Sequence, residues 1–233
     1  GMADYMNLIH TLSLGCAPAQ ISFAAPLTFD GFIKAGTLVY NDLFTIYPYE
    51  NQLFVVNMTG KEIKDYLEYS YDAWINTIKS PKENLLKIQN RPDPRNGTDR
   101  WSFKGTAYNF DSAGGLHYTV DVTKPMGERI RITTLVDGSA FDLTKEYNVA
   151  MTSYRASGGG DIMRKGAGVD TDRIGDRVVE YHPEIRNILY DYLRENKTID
   201  PAVIGDPEVI GSWKFVPEDM AEKALDRDMA LLF

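Results

Sequence analysis

Apolar positions recur along this chain with two different periods. Tyr5, Leu8, Ile9 and Leu12 stand three and four residues apart, which predicts a short amphipathic helix at the start. Pro18 ends that stretch, and an extended one begins near Ile21. Leu53-Phe54-Val55-Val56 is a short β-rich run. Thr59-Gly60-Lys61-Glu62 follows it and has the form of a capping box, so a helix starts there with Ile63, Tyr66, Leu67, Tyr71 and Trp74 on one face. Residues 76–107 are polar and broken by Pro81, Pro92, Pro94 and Gly97, and read as a long surface excursion. Alternation then returns: Leu116, Tyr118, Val120 and Val122 form one strand signal, and Ile130-Arg131-Ile132 and Tyr147-Asn148-Val149 two more. Pro183 opens a helix carrying Ile185, Ile188, Leu189, Tyr192 and Leu193. From Lys197 onward the pattern gives a loop and a last helical stretch from Glu218 to Leu232.

The mixed order of helices and strands predicts an α+β fold, a mixed or largely antiparallel sheet with flanking helices. The organisation expected is an opening helix over 1–16, a main domain over 17–196 and a tail over 197–233. Gly1-Met2-Ala3-Asp4 reads as an expression scar followed by a clipped domain. Leu12-Ser13-Leu14-Gly15-Cys16 has the outline of a lipoprotein cleavage site. With no basic leader, and with Asp4, Asn7 and His10 interrupting the apolar run, it reads instead as a helix end and a loop.

Charge narrows the function. A net charge of -8 does not suit a polyanionic backbone, so a nucleic-acid polymer is not the expected partner. A single neutral base is different, because stacking is indifferent to net charge, and the 14 tyrosines suit surfaces that are part apolar and part wet. The one cysteine, Cys16, excludes an internal disulfide and a cysteine-based zinc site. No apolar run approaches the roughly 18 residues of a membrane span. The three histidines, His10, His117 and His182, do not stand at metal-ligand spacing, and a two-metal hydrolase needs several clustered ligands. Each reads as structural, and no metal or cofactor is expected on this chain.

Two segments could carry binding chemistry. In Ser153-Tyr154-Arg155-Ala156-Ser157-Gly158-Gly159-Gly160-Asp161, the glycines mark a tight turn or a close approach to the backbone. Tyr154 could form a wall beside it, Arg155 offers a fork for phosphate or carboxylate, and Asp161 could accept from ribose hydroxyls. On this segment alone a binding loop and an ordinary loop after a strand stand level. A P-loop is disfavoured, since Lys165 is not at the required spacing. In Phe44-Thr45-Ile46-Tyr47-Pro48-Tyr49-Glu50-Asn51, Pro48 holds Tyr47 extended and presents Tyr49 on a turn. Alone, such a tyrosine is more often packing than binding.

Taken together these segments resemble the C-terminal domain of the 5'-nucleotidase family, in its bacterial 2',3'-cyclic-nucleotide 2'-phosphodiesterase/3'-nucleotidase branch. Four ordered blocks carry the resemblance: Ala19 to Pro26; Tyr47-Pro48-Tyr49-Glu50-Asn51 through Thr59-Gly60-Lys61; Tyr108-Asn109-Phe110-Asp111 through Asp121-Val122-Thr123; and Tyr154-Arg155-Ala156 with Gly158-Gly159. The resemblance covers about residues 5 to 195. It implies a domain that binds a nucleoside or nucleotide, with the base held between Tyr49 and Tyr154. Asn51, Arg155, Ser157, Gly158, Gly159 and Asp161 join the binding residues so carried over, the glycine loop, Ser157 or Asp161 orienting the sugar. Stacking on aromatic faces is worth about 1–3 kcal/mol per base.

Ala24-Ala25-Pro26-Leu27 stands where the 5'-nucleotidase branch has an Asn-Gly-Gly-x-Ile-Arg motif, which favours the cyclic-phosphodiesterase branch. The Gly-Gly-Gly-Asp loop is one residue longer than that family's Gly-Gly-Asp, so Asp161 is displaced by one position. The family's chemistry belongs to an N-terminal metallophosphatase domain with paired divalent metals. This chain alone is therefore expected to be inactive, with that domain of the same parent chain as its partner in the periplasm or at the bacterial cell surface. The alternative is a stand-alone nucleoside or sugar-binding module.

Overall fold

The computed structural model describes residues 4–27 and 35–233, so the reading of Gly1-Met2-Ala3 lies outside the described residues. Helix α1 (Asp4–Cys16) turns Met6, Leu8, Ile9 and Leu12 inward and leads into β1 (Ile21–Ala24), which is buried along its whole length. A short α2 (Asp42–Ile46) precedes β2 (Gln52–Thr59), and β2 passes directly into α3 (Gly60–Asp72). The capping box makes that switch: the Glu62 amide donates to Thr59 Oγ1 at 3.2 Å, and the Thr59 amide donates to Glu62 Oε2 at 2.9 Å. Gly60 is required at the joint, because a Cβ there would stand 2.2 Å from the Asp142 carbonyl oxygen.

Strands β3 (Ile88–Asn90) and β4 (Trp101–Phe103) pair as a small hairpin. Then come β5 (Ser112–Gly114), β6 (Leu116–Asp121), β7 (Ile130–Leu135), β8 (Glu146–Thr152) and the one-turn α4 (Ser153–Ala156). After the glycine loop follow β9 (Val178–Glu184), α5 (Ile185–Asn196), the short α6 (Pro201–Ile204) and α7 (Pro207–Ile210), β10 (Gly211–Val216) and α8 (Glu218–Leu232). The main sheet has the order β5-β1-β8-β2-β9; β1 and β8 run parallel and its other neighbours are antiparallel. A second sheet, β10-β6-β7, joins one parallel and one antiparallel pair. This is the α+β arrangement of mixed sheets with flanking helices.

The larger apolar cluster lies between α3 and the two sheets, around Tyr66, Leu67, Tyr71, Val120 and Val149. The smaller one, around Leu8, Leu12, Leu53, Ile185 and Leu189, packs α1 and α5 on the main sheet. Three readings of the sequence need correction. The 76–107 excursion is pinned to the larger core by Ile78 and Leu85, both fully buried among polar neighbours that hide the period. Pro183 does not open a helix: it lies in β9, the outer strand of the main sheet, where a missing N–H costs no ladder bond, and α5 begins at Ile185. The stretch after Lys197 is not a plain loop, since β10 pairs with β6 from Gly211↔Leu116 to Val216↔Asp121. In α6 and α7, Asp200-Pro201 and Asp206-Pro207 each place an aspartate cap before a first-turn proline.

Candidate functional site

A cleft of about 320 Å³ opens beyond the carboxyl ends of the parallel neighbours β1 and β8. Five chain segments wall it, the first of them α1 through Ile9. Phe23 and Ala24 come from β1, and Tyr47, Tyr49 and Asn51 from the turn between α2 and β2. Tyr108 and Asp111 come from the approach to β5, and Thr152, Tyr154 and Arg155 from the junction of β8 with α4.

Local chemistry fixes each wall. Tyr47, preceding Pro48, is extended at φ -138, ψ 92, so successive side chains alternate and Tyr47 goes inward while Tyr49 stays 43% exposed. Asn51 Nδ2 donates to the Tyr47 hydroxyl at 3.3 Å, and burial pushes that hydroxyl's pKa up to about 12. At the junction of β8 with α4, Thr152 caps α4, its Oγ1 accepting from the Arg155 amide at 3.2 Å. Tyr154 then stands at the end of β8 with 42% of its surface exposed.

The glycines follow from what they touch. Gly158 and Gly160 take φ 97 and 71, and Asp161 takes φ 62, so the loop passes through left-handed backbone repeatedly. A Cβ on Gly159 would stand 2.4–2.6 Å from three carbons of the Tyr154 ring, and one on Gly160 would stand 2.5 Å from Arg155 Nη1.

Beneath the rings lies a buried ion pair. Arg155 Nε donates to Asp111 Oδ2 at 2.8 Å and Nη2 to Asp111 Oδ1 at 2.7 Å, with 3% and 2% of the two residues exposed. Nη2 also donates to the Tyr108 carbonyl at 2.7 Å, and Nη1 to the Gly159 carbonyl. The Tyr66 hydroxyl donates to Asp111, and Ser70 Oγ bridges the Asp111 amide and carbonyl at 2.8 Å each. Burial works against the charge on Arg155, but the Asp111 carboxylate more than offsets it and holds the guanidinium's pKa above its ordinary value.

The histidines lie apart from this pair. His10 is fully buried, Nδ1 2.7 Å from Ser22 Oγ and Nε2 3.2 Å from Ser112 Oγ, and desolvation pulls its pKa down to about 3. His117 Nδ1 stands 2.9 Å from Ser212 Oγ, and His182 Nε2 lies 3.3 Å from Glu180. Among the described residues no three or more His, Cys, Asp or Glu side chains cluster as a metal site. No described helix is long and apolar enough to cross a membrane.

The sequence profile of the 5'-nucleotidase, C-terminal domain family matches residues 3–165. The chain belongs to that family. The trifunctional nucleotide phosphoesterase protein YfkN of Bacillus subtilis is 32% identical over 229 residues, covering 92% of this chain and 14% of that protein. A 2',3'-cyclic-nucleotide 2'-phosphodiesterase/3'-nucleotidase of Haemophilus influenzae is 28% identical over 200 residues, covering 79% of this chain and 26% of that protein. The chain thus spans a minor part of each curated relative. A Staphylococcus aureus 5'-nucleotidase candidate crystallised with alpha-ketoglutarate superposes with a TM-score of 0.66 at 21% identity, over 91% of this chain and 36% of that one. At that identity the likeness speaks for the fold of a 5'-nucleotidase C-terminal domain.

Within this family fold, Tyr49, Asn51, Tyr154 and Arg155 come together at one cleft, though they are spread over a hundred residues of sequence. Ser157, Gly158, Gly159 and Asp161 do not line it. The left-handed turns carry the loop behind the Tyr154 ring, Ser157 is exposed, and Asp161 pairs with Lys165 at 2.8 Å. Sequence reasoning missed Tyr108, Asp111 and Phe23 as cleft residues. A usable signal was present in Tyr108-Asn109-Phe110-Asp111, where one carboxylate ends an aromatic run that leads into a buried strand.

Proposed function

We propose that this chain is the nucleoside-binding domain of a metal-dependent nucleotide phosphodiesterase/nucleotidase, with the base stacked between Tyr49 and Tyr154. The observation that carries the reading is that these two rings come from separate segments, share one cleft, and keep about two-fifths of their surface exposed. Rings that served only the core would be covered. The apolar floor formed by Phe23 and Ala24 suits a flat base, and Asn51, with its Nδ2 turned to Tyr47, has its amide oxygen left for a base edge or sugar.

Two stacking faces at about 1–3 kcal/mol each, with a few hydrogen bonds, correspond to binding in the micromolar to millimolar range. Hydrolysis falls to a second domain of the parent chain, which carries two divalent metals and acts with this one in the periplasm or at the cell surface. The relatives named as nucleotide phosphoesterases, of which this chain spans a minor part, support that division. Isothermal calorimetry with adenosine and 3'-AMP tests it. Saturable binding is expected, lost in the Tyr49→Ala, Tyr154→Ala double variant. No heat at millimolar ligand, or binding untouched by the double substitution, refutes the reading.

A further inference from the structure

Arg155 is badly placed to hold a ligand's phosphate. It is 3% exposed, and four of its five N–H donors are already spent: two on Asp111, one on the Tyr108 carbonyl and one on the Gly159 carbonyl. What those bonds join is informative. Tyr108 is the cleft's third exposed tyrosine, at 39%, and Gly159 is the surface against which the Tyr154 ring rests. A single guanidinium therefore ties together two walls that lie about fifty residues apart in sequence, and its carbon stands 5.5 Å from the centroid of the Tyr154 ring. The anchor is itself fixed, because Asp111 is held by Tyr66 and, through its backbone, by Ser70. A buried ion pair contributes little to net stability compared with apolar side chains of the same volume. Its value lies in the geometry it imposes, and Arg imposes more than Lys because its planar fork fixes direction as well as distance.

We propose that the Arg155–Asp111 pair is a positioning clamp that sets the separation of Tyr108 and Tyr154, and that Tyr108 is a third aromatic contact for the bound nucleoside. The second half rests on the nucleoside reading above; the clamp does not.

Two measurements on the whole chain separate them. The first is ¹⁹F NMR of protein labelled with 3-fluorotyrosine, with Tyr49, Tyr108 and Tyr154 assigned by Tyr→Phe variants. In Arg155→Lys the Tyr108 and Tyr154 resonances are expected to move together while that of Tyr49 stays in place. All three unmoved overturns the clamp. If Arg155→Lys does not fold, Ser70→Ala, which loosens Asp111 but keeps the ion pair, must give the same paired shift.

The second is calorimetry with adenosine and 3'-AMP. The clamp requires Arg155→Lys to weaken both ligands by the same factor, about tenfold, since adenosine has no phosphate to lose. A loss confined to 3'-AMP means that the guanidinium grips phosphate and overturns the proposal. Tyr108→Ala is expected to weaken adenosine several-fold, and Arg155→Lys is expected to cost less in that background than alone. Unchanged adenosine affinity in Tyr108→Ala removes the third contact. If the wild-type chain binds neither ligand, the nucleoside reading and the Tyr108 contact fall with it, and the fluorine measurement still decides the clamp.

Discussion

Gly159 lies directly against the ring of Tyr154, so close that a Cβ would stand 2.4 Å from Cζ. The fit leaves no room for a side chain without displacing the ring that walls the cleft. Gly159→Ala is therefore expected to weaken adenosine binding about tenfold or more by calorimetry. Gly168→Ala is the control: its φ of 72 is also left-handed, but nothing lies within 4 Å of its Cβ position. That substitution is expected to cost about 1 kcal/mol of stability by backbone strain and leave binding intact. Equal affinities in the two variants would mean that the Tyr154 ring is not part of the ligand's environment.

His10 makes stability depend on pH. Its folded pKa is near 3 and its unfolded value near 6.5, so between those limits the unfolded chain binds one more proton than the folded one. Stability contributed by the neutral ring is fully present above pH 6.5 and is lost as pH falls through the window, at about 1.4 kcal/mol per pH unit. Urea unfolding between pH 6.5 and 4 is expected to show that extra slope in the wild type relative to His10→Gln. A folded-state His10 resonance titrating near 6.5 by NMR would contradict it.

How much of this was legible depended on whether the signal was local. The capping box at Thr59 and Glu62, the apolar face of α3 and the alternation of β6 are each written within one segment, and the structure has them there, except that Trp74 and Val122 stand just past the ends of α3 and β6. Tyr49 and Tyr154 were ambiguous alone and were brought together only by the order of four blocks. The Asp111–Arg155 pair spans 44 residues, and no spacing rule announces such a contact. Arg155 consequently read as a free fork. The glycine run announced a close approach correctly, but the approaching group is the chain's own Tyr154 ring, and sequence alone does not say which object comes close. Lys197 onward looked like a loop because β10 is a short strand whose pairing with β6 lies nearly a hundred residues away.

The box at the start of α3 can be measured directly. Thr59→Ala removes the acceptor for the Glu62 amide while the 2.9 Å bond from the Thr59 amide to the Glu62 carboxylate remains. The expected loss is about 1 kcal/mol in chemical denaturation, with an unchanged m-value. Glu62→Ala is expected to cost more, since its carboxylate also accepts from Arg177 at 2.9 Å. If Thr59→Ala is the more damaging of the two, the box is not what holds the β2–α3 joint.

The strand pairing of β10 bears on where the domain can be cut. Trp213 stacks with Tyr118 at 6.0 Å between ring centroids and meets Tyr71 edge-on at 5.3 Å, while Ala221 and Ala224 of α8 are buried in the larger core. Asp228, fully buried, accepts from the Leu86 amide at 2.7 Å and so ties α8 to the 76–107 segment. A chain ending at Asn196 would bare the β6 edge and one side of the core, and it is expected to lose near-UV circular dichroism and bind a hydrophobic dye. A native-like near-UV spectrum from residues 1–196 would show that the tail is an appendage. Trp213→Ala in the full chain offers a graded version: Trp213 is half-buried, so the expected loss falls below the about 3–5 kcal/mol of a fully buried tryptophan.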